Sequence, residues 1–259
     1  MQANSEIKIW EGVFASFGEA QREAIGPGFA GEVWIARSLD GAKTCLTALA
    51  AGTLIPPLYK QRSTMLPPVA AMLLDKRDRL SIVDFGGGLG IGYMTLLESI
   101  PSAARRIDYT VVEGEGVCAT GRSLFAKTEG SMRFATTYPE GARHDLIHCS
   151  SMLQYVPDWK AFLKFLGTIE APYLLLSDVF AGPNPTFATL QNYYGSRIEH
   201  WFLNYADLLA ALDEAGYVLE MKSDVVARRL GADDALPMSH FPPTHRLAYT
   251  LHLLLKRRA

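Results

Sequence analysis

The sequence predicts an α/β fold, a mostly parallel sheet with an antiparallel edge near the C-terminus, preceded by a helical N-terminal lobe. Three observations carry that expectation. Short apolar runs recur at residues 80–85, 109–112, 132–135, 145–149 and 173–176, and most of the intervals between them are long enough for a helix, the pattern of parallel strands joined by crossovers. The first run stops at three consecutive glycines, Gly86, Gly87 and Gly88. Two late apolar runs, 217–221 and 247–255, lie close enough to the end to pair antiparallel at one edge.

Taken in order, residues 1–78 show helical apolar spacing around 42–51 and are punctuated by Pro56-Pro57 and Pro67-Pro68, so a mostly helical lobe is expected there, with the main domain over 79–259. Leu80-Ser81-Ile82-Val83-Asp84-Phe85 reads as a buried strand ending in a glycine turn, followed by a helix over 90–99. After Phe180 comes a loop, Ala181-Gly182-Pro183-Asn184-Pro185, and then an aromatic-rich stretch, 187–205, that fits no plain strand. Residues 205–215 read as an amphipathic helix with Leu208, Leu209 and Leu212 on one face and Gly216 beyond its end.

Composition excludes several classes. Of 259 residues 49% are hydrophobic and 20% charged, which is ample for a large core and unlike a disordered or fibrous chain. Net charge is −2 with no basic stripe, which argues against a nucleic-acid partner. Cys45, Cys118 and Cys149 lie far apart without metal-ligand spacing, so neither a metal site nor a disulfide framework is expected and a reducing compartment is. Residues 1–10 hold no apolar signal region, and the longest weakly polar stretch, 45–55, is about half a membrane span. The expectation is a cytoplasmic protein with no membrane partner.

The strongest chemical signal is Gly86-Gly87-Gly88-Leu89-Gly90, a G-x-G-x-G directly after a strand. A dinucleotide fingerprint wants G-x-G-x-x-G or a terminal Ala, and both registers fail, at Ile91 and at Tyr93. Glycines here let backbone approach a ligand, while the next helix points its first N–H groups at an anion. Asp84, ending the first strand, suits a cationic amino group. Glu113 ends the second strand at the distance where an acid accepts hydrogen bonds from ribose hydroxyls.

With those residues in view, 80–178 resembles the Rossmann-like core of class I S-adenosylmethionine (SAM)-dependent methyltransferases. Ile82-Val83-Asp84-Phe85-Gly86-Gly87-Gly88-Leu89-Gly90 is similar to the first motif of that superfamily, Val111-Val112-Glu113 to its second, and the run from His144 to Val156 to its fourth-strand pattern. The resemblance implies SAM as cofactor, its methionine carboxylate at the glycine loop, with Asp84, Gly86, Gly88, Gly90 and Glu113 binding it and Cys149, Ser150 and Ser151 lining its methionine end. Trp10-Glu11-Gly12-Val13-Phe14 and Thr189-Leu190-Gln191-Asn192-Tyr193-Tyr194-Gly195 resemble a narrower bacterial family of methyltransferases with an N-terminal W-x-G-V-F motif. Many superfamily members carry an Asp after the third strand for the adenine amino group. Here the text is Phe134-Ala135-Thr136-Thr137, so Thr136, Thr137 or a backbone carbonyl would replace it.

The expected reaction is methyl transfer to a small polar molecule such as a sugar or other metabolite, at oxygen rather than nitrogen. A hydroxyl acceptor needs a base, and His is the natural one near neutral pH. His200, in the expected acceptor-site insertion near 181–205, is the candidate catalytic residue. Tyr155, Gln191 and His245 are candidates for contacting the acceptor, with Asn192 beside Gln191 and His240 in the same proline-bearing loop as His245. His148, inside a strand, is expected to pack or hydrogen-bond within the core. Trp10, Phe14, Phe17, Trp34 and Tyr59 form either a lid over the site or ordinary core, and Arg62, Arg77 and Arg79 read as a solvated face. Two other functions fit the same sheet: a SAM-fold protein that binds without catalysis, and a nicotinamide-dependent oxidoreductase, which the failed glycine registers disfavour.

Overall fold

A computed structural model of the chain describes residues 8–100, 102–126, 131–139, 141–225 and 236–258. Its strands, in chain order, are β1 (Trp10–Phe14), β2 (Leu80–Phe85), β3 (Ile107–Val112), β4 (Ser131–Ala135), β5 (Leu146–Ser150), β6 (Tyr173–Val179), β7 (Ala181–Gly182), β8 (Phe187–Tyr193), β9 (Ser196–Asn204), β10 (Tyr217–Val225) and β11 (Thr250–Arg257). Seven of them make one sheet in the order β10-β11-β6-β5-β2-β3-β4. Neighbours from β6 to β4 are parallel, and β11 and β10 add the antiparallel edge. The expected mostly parallel sheet with its antiparallel C-terminal edge is therefore the one found.

Burial explains why these segments are strands. Ile82, Val83, Tyr109, Val111, Leu146, Ile147, Leu174 and Leu175 are all fully buried, as the strands of a parallel sheet covered on both faces must be. The helix Leu66–Leu74 packs on one face through Leu66, Val69, Ala70 and Leu73. The helices Trp159–Thr168 and Tyr205–Glu214 close the other through Leu163, Leu166, Leu208 and Leu212. From β2 the chain runs to β3 on one side, while β5 lies on the other, with Phe85 in register with both Val112 and Cys149. Gly86, Glu113 and Ser150 thus leave the sheet together at its carboxyl edge, beside the point where strand order reverses. Ligands bind at such switch points in open α/β sheets.

The second sheet differs from expectation. β8 and β9 form an antiparallel hairpin, β1 pairs with β8, and β7 with β9. The stretch 187–205, which fits no plain strand by pattern, is thus largely two strands. The pattern fails because both faces are covered. Ala188, Leu190, Trp201 and Leu203 pack toward the main core, while Phe187 and Phe202 join Trp10, Phe180 and Phe241 in a separate cluster, so no polar face is left to produce alternation. The hairpin turns on Tyr194 and Gly195, both at positive φ, 46° and 81°, the conformation that two-residue hairpin loops favour. The N-terminal segment is helical over Glu32–Ala50, yet its first element among the described residues is the strand β1 rather than a helix. Residues 226–235, part of the polar segment between the last two strands, lie outside the described residues. Among the described residues no helix is long and apolar enough to cross a membrane.

Candidate active site

A cavity of about 540 Å³ opens at the carboxyl edge of β2, β3 and β5. One part of its wall is the glycine loop with Asp84, Glu113, Ser150 and Ser151. Gly88 holds φ at 55°, and a Cβ built there would meet nothing within 4 Å; the absent side chain leaves open space on the cavity side. Gly86 and Gly87 also line the cavity, and a Cβ on Gly87 would strike the Asp84 carboxylate. Gly90, at φ 78°, is the N-cap of the helix Ile91–Ser99 and is not on the wall, whereas Ile91 and Gly92 of that helix's first turn are.

Asp84 is 1% exposed. Tyr109 Oη donates to its Oδ2 at 2.5 Å, and His148 Nδ1 lies 2.9 Å from its Oδ1, in ion-pair range but off the line of a hydrogen bond. His148 Nε2 is in turn 3.2 Å from Ser177 Oγ, so His148 sits in the core among polar partners. Burial, and then the neighbouring Asp84, push the Tyr109 phenol well above its ordinary pKa, which keeps it a donor. The carboxylate that the sequence sends to a ligand's amino group is therefore already clamped between two side chains beneath the loop.

Glu113 performs two tasks at once. Its Oε1 accepts from Gly88 N at 3.1 Å and its Oε2 from Gly114 N at 2.9 Å, which ties the end of β3 to the glycine loop. Burial raises its pKa from the ordinary value, against the lowering effect of those two N–H groups. Ser151 holds φ at 53°; its N donates to Ser177 O at 2.8 Å and its Oγ accepts from Gln154 Nε2 at 3.1 Å. Cys149 is 2% exposed and packs in the core rather than on the wall, and burial followed by Asp84 pushes its thiol well above the ordinary range. Thr136 and Thr137 do not line the cavity.

The rest of the wall comes from distant segments. Phe29 packs edge-on against Trp34, Tyr155 and Tyr193, with ring centroids 5.3, 4.8 and 5.4 Å away. Trp34 Nε1 donates to Tyr193 Oη at 2.8 Å. Tyr155 Oη donates to Gln191 Oε1 at 2.7 Å, so Gln191, on β8, orients Tyr155 and is not itself a wall residue. Of the five aromatics considered as a lid, Trp34 and Tyr59 line the cavity, and Trp10 and Phe17 are core.

Besides Gly90, Cys149 and Gln191, the predicted histidines are not brought to this cavity. His200 is completely buried in β9, its ring centroid 4.6 to 5.6 Å from those of Phe180, Phe202, Tyr155 and Trp10. Strand alternation puts it on the same face as Phe202, the side toward the aromatic cluster, behind Tyr155 and off the wall. His245, in the turn Pro243–His245, packs on Phe187 at 4.9 Å with Nδ1 3.1 Å from Thr244 Oγ1. His240 Nε2 lies 2.7 Å from Trp10 O, also away from the wall. Sequence reasoning in turn missed Arg62. Read as solvated, it lines the cavity with its Nε 3.5 Å from Asp178 Oδ2; nothing in the local sequence pairs residues so far apart.

The sequence matches the family model described as "Methyltransferase domain" over residues 58–221, well over half of the 259. The chain belongs to the methyltransferase-domain family. No curated protein matches it. Among solved structures it is similar to the 1,6-didemethyltoxoflavin-N1-methyltransferase of Burkholderia thailandensis, crystallised with 1,6-didemethyltoxoflavin and S-adenosylhomocysteine, at 16% identity over 91% of this chain and 94% of that one, TM-score 0.52. It is also similar to an uncharacterized protein of the same organism, at 16% identity, 95% and 88% coverage and TM-score 0.58. A third is a SAM-dependent methyltransferase of Methanosarcina mazei, at 12% identity, 73% and 97% coverage and TM-score 0.52. At these identities the likeness is one of fold. The residues of this methyltransferase fit SAM on their own geometry: open space where a Gly88 side chain would stand, an acid at the carboxyl end of each of β2 and β3, and a helix opening onto the wall.

Proposed function

We propose that this methyltransferase transfers a methyl group from SAM to a small polar acceptor, a sugar or other small metabolite, at oxygen rather than nitrogen. The observation that carries the reading is that one cavity joins the glycine loop and Glu113 to a second wall of aromatic and polar side chains, giving donor and acceptor a common space. Bound SAM supplies a methyl group on a sulfonium, taken by in-line displacement. The chain's work is then alignment and exclusion of water. Gly88 gives the methionine end room, Gly86 turns the loop against Met152, and Ser150 and Ser151 stand beside it. Glu113 accepts from the ribose hydroxyls. Phe29, Trp34 and Tyr193 cover the acceptor, with residues 1–78 serving as the lid and 181–205 as the acceptor-site insertion. With His200 off the wall, an acceptor oxygen already ionised at neutral pH, as a sugar hydroxyl is not, is favoured within this class, because it needs no base.

The slightly acidic net charge supports a small molecule over nucleic acid. Trp10-Glu11-Gly12-Val13-Phe14 supports placing the chain in the narrower bacterial family with that motif. The test is calorimetric titration with SAM and, separately, with NADH, followed by an acceptor screen on the SAM-loaded protein. Saturable SAM binding without NADH heat is expected; NADH binding in its place would overturn the reading.

A further inference from the structure

Arg62 is held at both ends yet remains open. Its carbonyl accepts from Ser150 Oγ at 3.0 Å, which ties it to the end of β5. Its Nε lies 3.5 Å from Oδ2 of Asp178, a completely buried carboxylate whose Oδ1 accepts from Thr250 Oγ1 at 2.5 Å. The Arg62 side chain is still 47% exposed and forms part of the cavity wall. A guanidinium carries five N–H donors in a planar fork, and the Asp178 contact is made through Nε. Phe29, Tyr155 and Tyr193 line the same cavity, and Arg37, over the Tyr194 ring at 5.0 Å, adds a second guanidinium to the wall.

We propose that Arg62 selects an acidic acceptor: a small ring-bearing molecule whose carboxylate or phosphate group is held by the Arg62 guanidinium while its ring lies against Phe29, Tyr155 and Tyr193. The inference rests on the reading of the cavity as a shared donor and acceptor space. A planar fork matches either anion in a way a lone ammonium does not, and edge-to-face rings offer a planar ligand favourable contact. Asp178 sets the direction of the fork and shares its charge, which makes the site a selector of moderate strength rather than a tight anion trap.

The experiment is a ligand-observed NMR titration with benzoate, phenyl phosphate and the uncharged benzamide, each with and without saturating S-adenosylhomocysteine. It is run on the wild type, on Arg62→Gln, and on Arg62→Gln/Asp178→Asn, the last removing the buried carboxylate that the single change leaves without its cation. In the wild type at least one of the two acids is expected to bind tenfold or more tightly than benzamide, and which acid does so distinguishes carboxylate from phosphate. In both variants that preference should fall below twofold. Because the preference is a ratio within one protein, partial loss of folded material does not imitate it. Equal binding of benzamide, absence of binding by either acid, or a preference that survives in the double variant would overturn the inference. Failure of S-adenosylhomocysteine to bind would overturn the SAM reading instead, leaving the acid-to-amide ratio to decide the role of Arg62.

Discussion

The two parts of the cavity wall are built in opposite ways. The cofactor part comes mostly from one short stretch, Asp84 to Glu113, and depends on backbone: Gly86 and Gly88 at positive φ, and the Glu113 carboxylate bonded to Gly88 N and Gly114 N. The part proposed for the acceptor comes from Phe29, Trp34, Arg62, Tyr155 and Tyr193, and depends on which distant segments pair, as when Trp34 reaches Tyr193 or Tyr155 reaches Gln191. Backbone requirements leave a local mark in sequence, since glycine readily takes those dihedrals. Side chains assembled over long range leave none.

A backbone change in the first part should therefore be the more damaging to cofactor binding. Gly88→Val places a branched side chain in open space at a φ that β-branched residues avoid. S-adenosylhomocysteine affinity is expected to fall at least about 100-fold, roughly 3 kcal/mol, measured by calorimetry, while the thermal midpoint moves far less than complete loss of fold would require. An unchanged affinity would remove the glycine loop from the site.

The second part predicts the reverse pattern at His200. With that ring fully buried among four others, His200→Ala should open a cavity and destabilise the protein by about 2–4 kcal/mol, read from urea midpoints, with S-adenosylhomocysteine affinity unaltered. A loss of turnover without loss of stability would restore His200 to the chemistry.

These two outcomes mirror what was legible. The sheet, its antiparallel edge and the glycine loop could be read because apolar runs and glycines are local signals. The β8–β9 hairpin could not, because both its faces are covered and alternation vanishes, although Tyr194-Gly195 was an available turn signal. The position of His200 is hidden for the same reason: without a strand assignment for 196–204 no parity says which way it points. Arg62 reads as solvated in sequence because its partner, Asp178, is 116 residues away and comes alongside only through the fold.

A seam between the two regions gives a pH effect. His252 on β11 is 4% exposed, and its Nε2 is 3.0 Å from Thr64 Oγ1, linking the sheet to the segment that carries Arg62. Burial lowers its pKa from 6.5 to about 4, with Asp178 opposing and His148 adding to the shift. The unfolded chain takes up the proton first, so this contribution to stability is whole above pH 6.5, declines as pH falls toward 4 and levels off below. Its full size is of order 3 kcal/mol. Urea midpoints at pH 7 and 4.5 should converge in His252→Gln relative to the wild type. Equal pH slopes in the two proteins would show that His252 does not titrate across folding.

The smallest effect sharpens the cofactor side. Glu113→Ala removes a candidate ribose acceptor and the brace on Gly88 N, and should weaken S-adenosylhomocysteine about tenfold, about 1.4 kcal/mol. Its pH dependence has the opposite sense from that of His252. Burial raises the Glu113 pKa, so the ionised carboxylate opposes folding at high pH, and that penalty is relieved as pH falls and the group takes up its proton. Binding runs the other way, because a protonated carboxyl is a poorer acceptor for ribose hydroxyls. Wild-type affinity should therefore decline on acidification from a higher pH than an ordinary glutamate would give, and Glu113→Ala should lose that decline. A variant that keeps the same pH profile would show that Glu113 braces the loop without touching the cofactor.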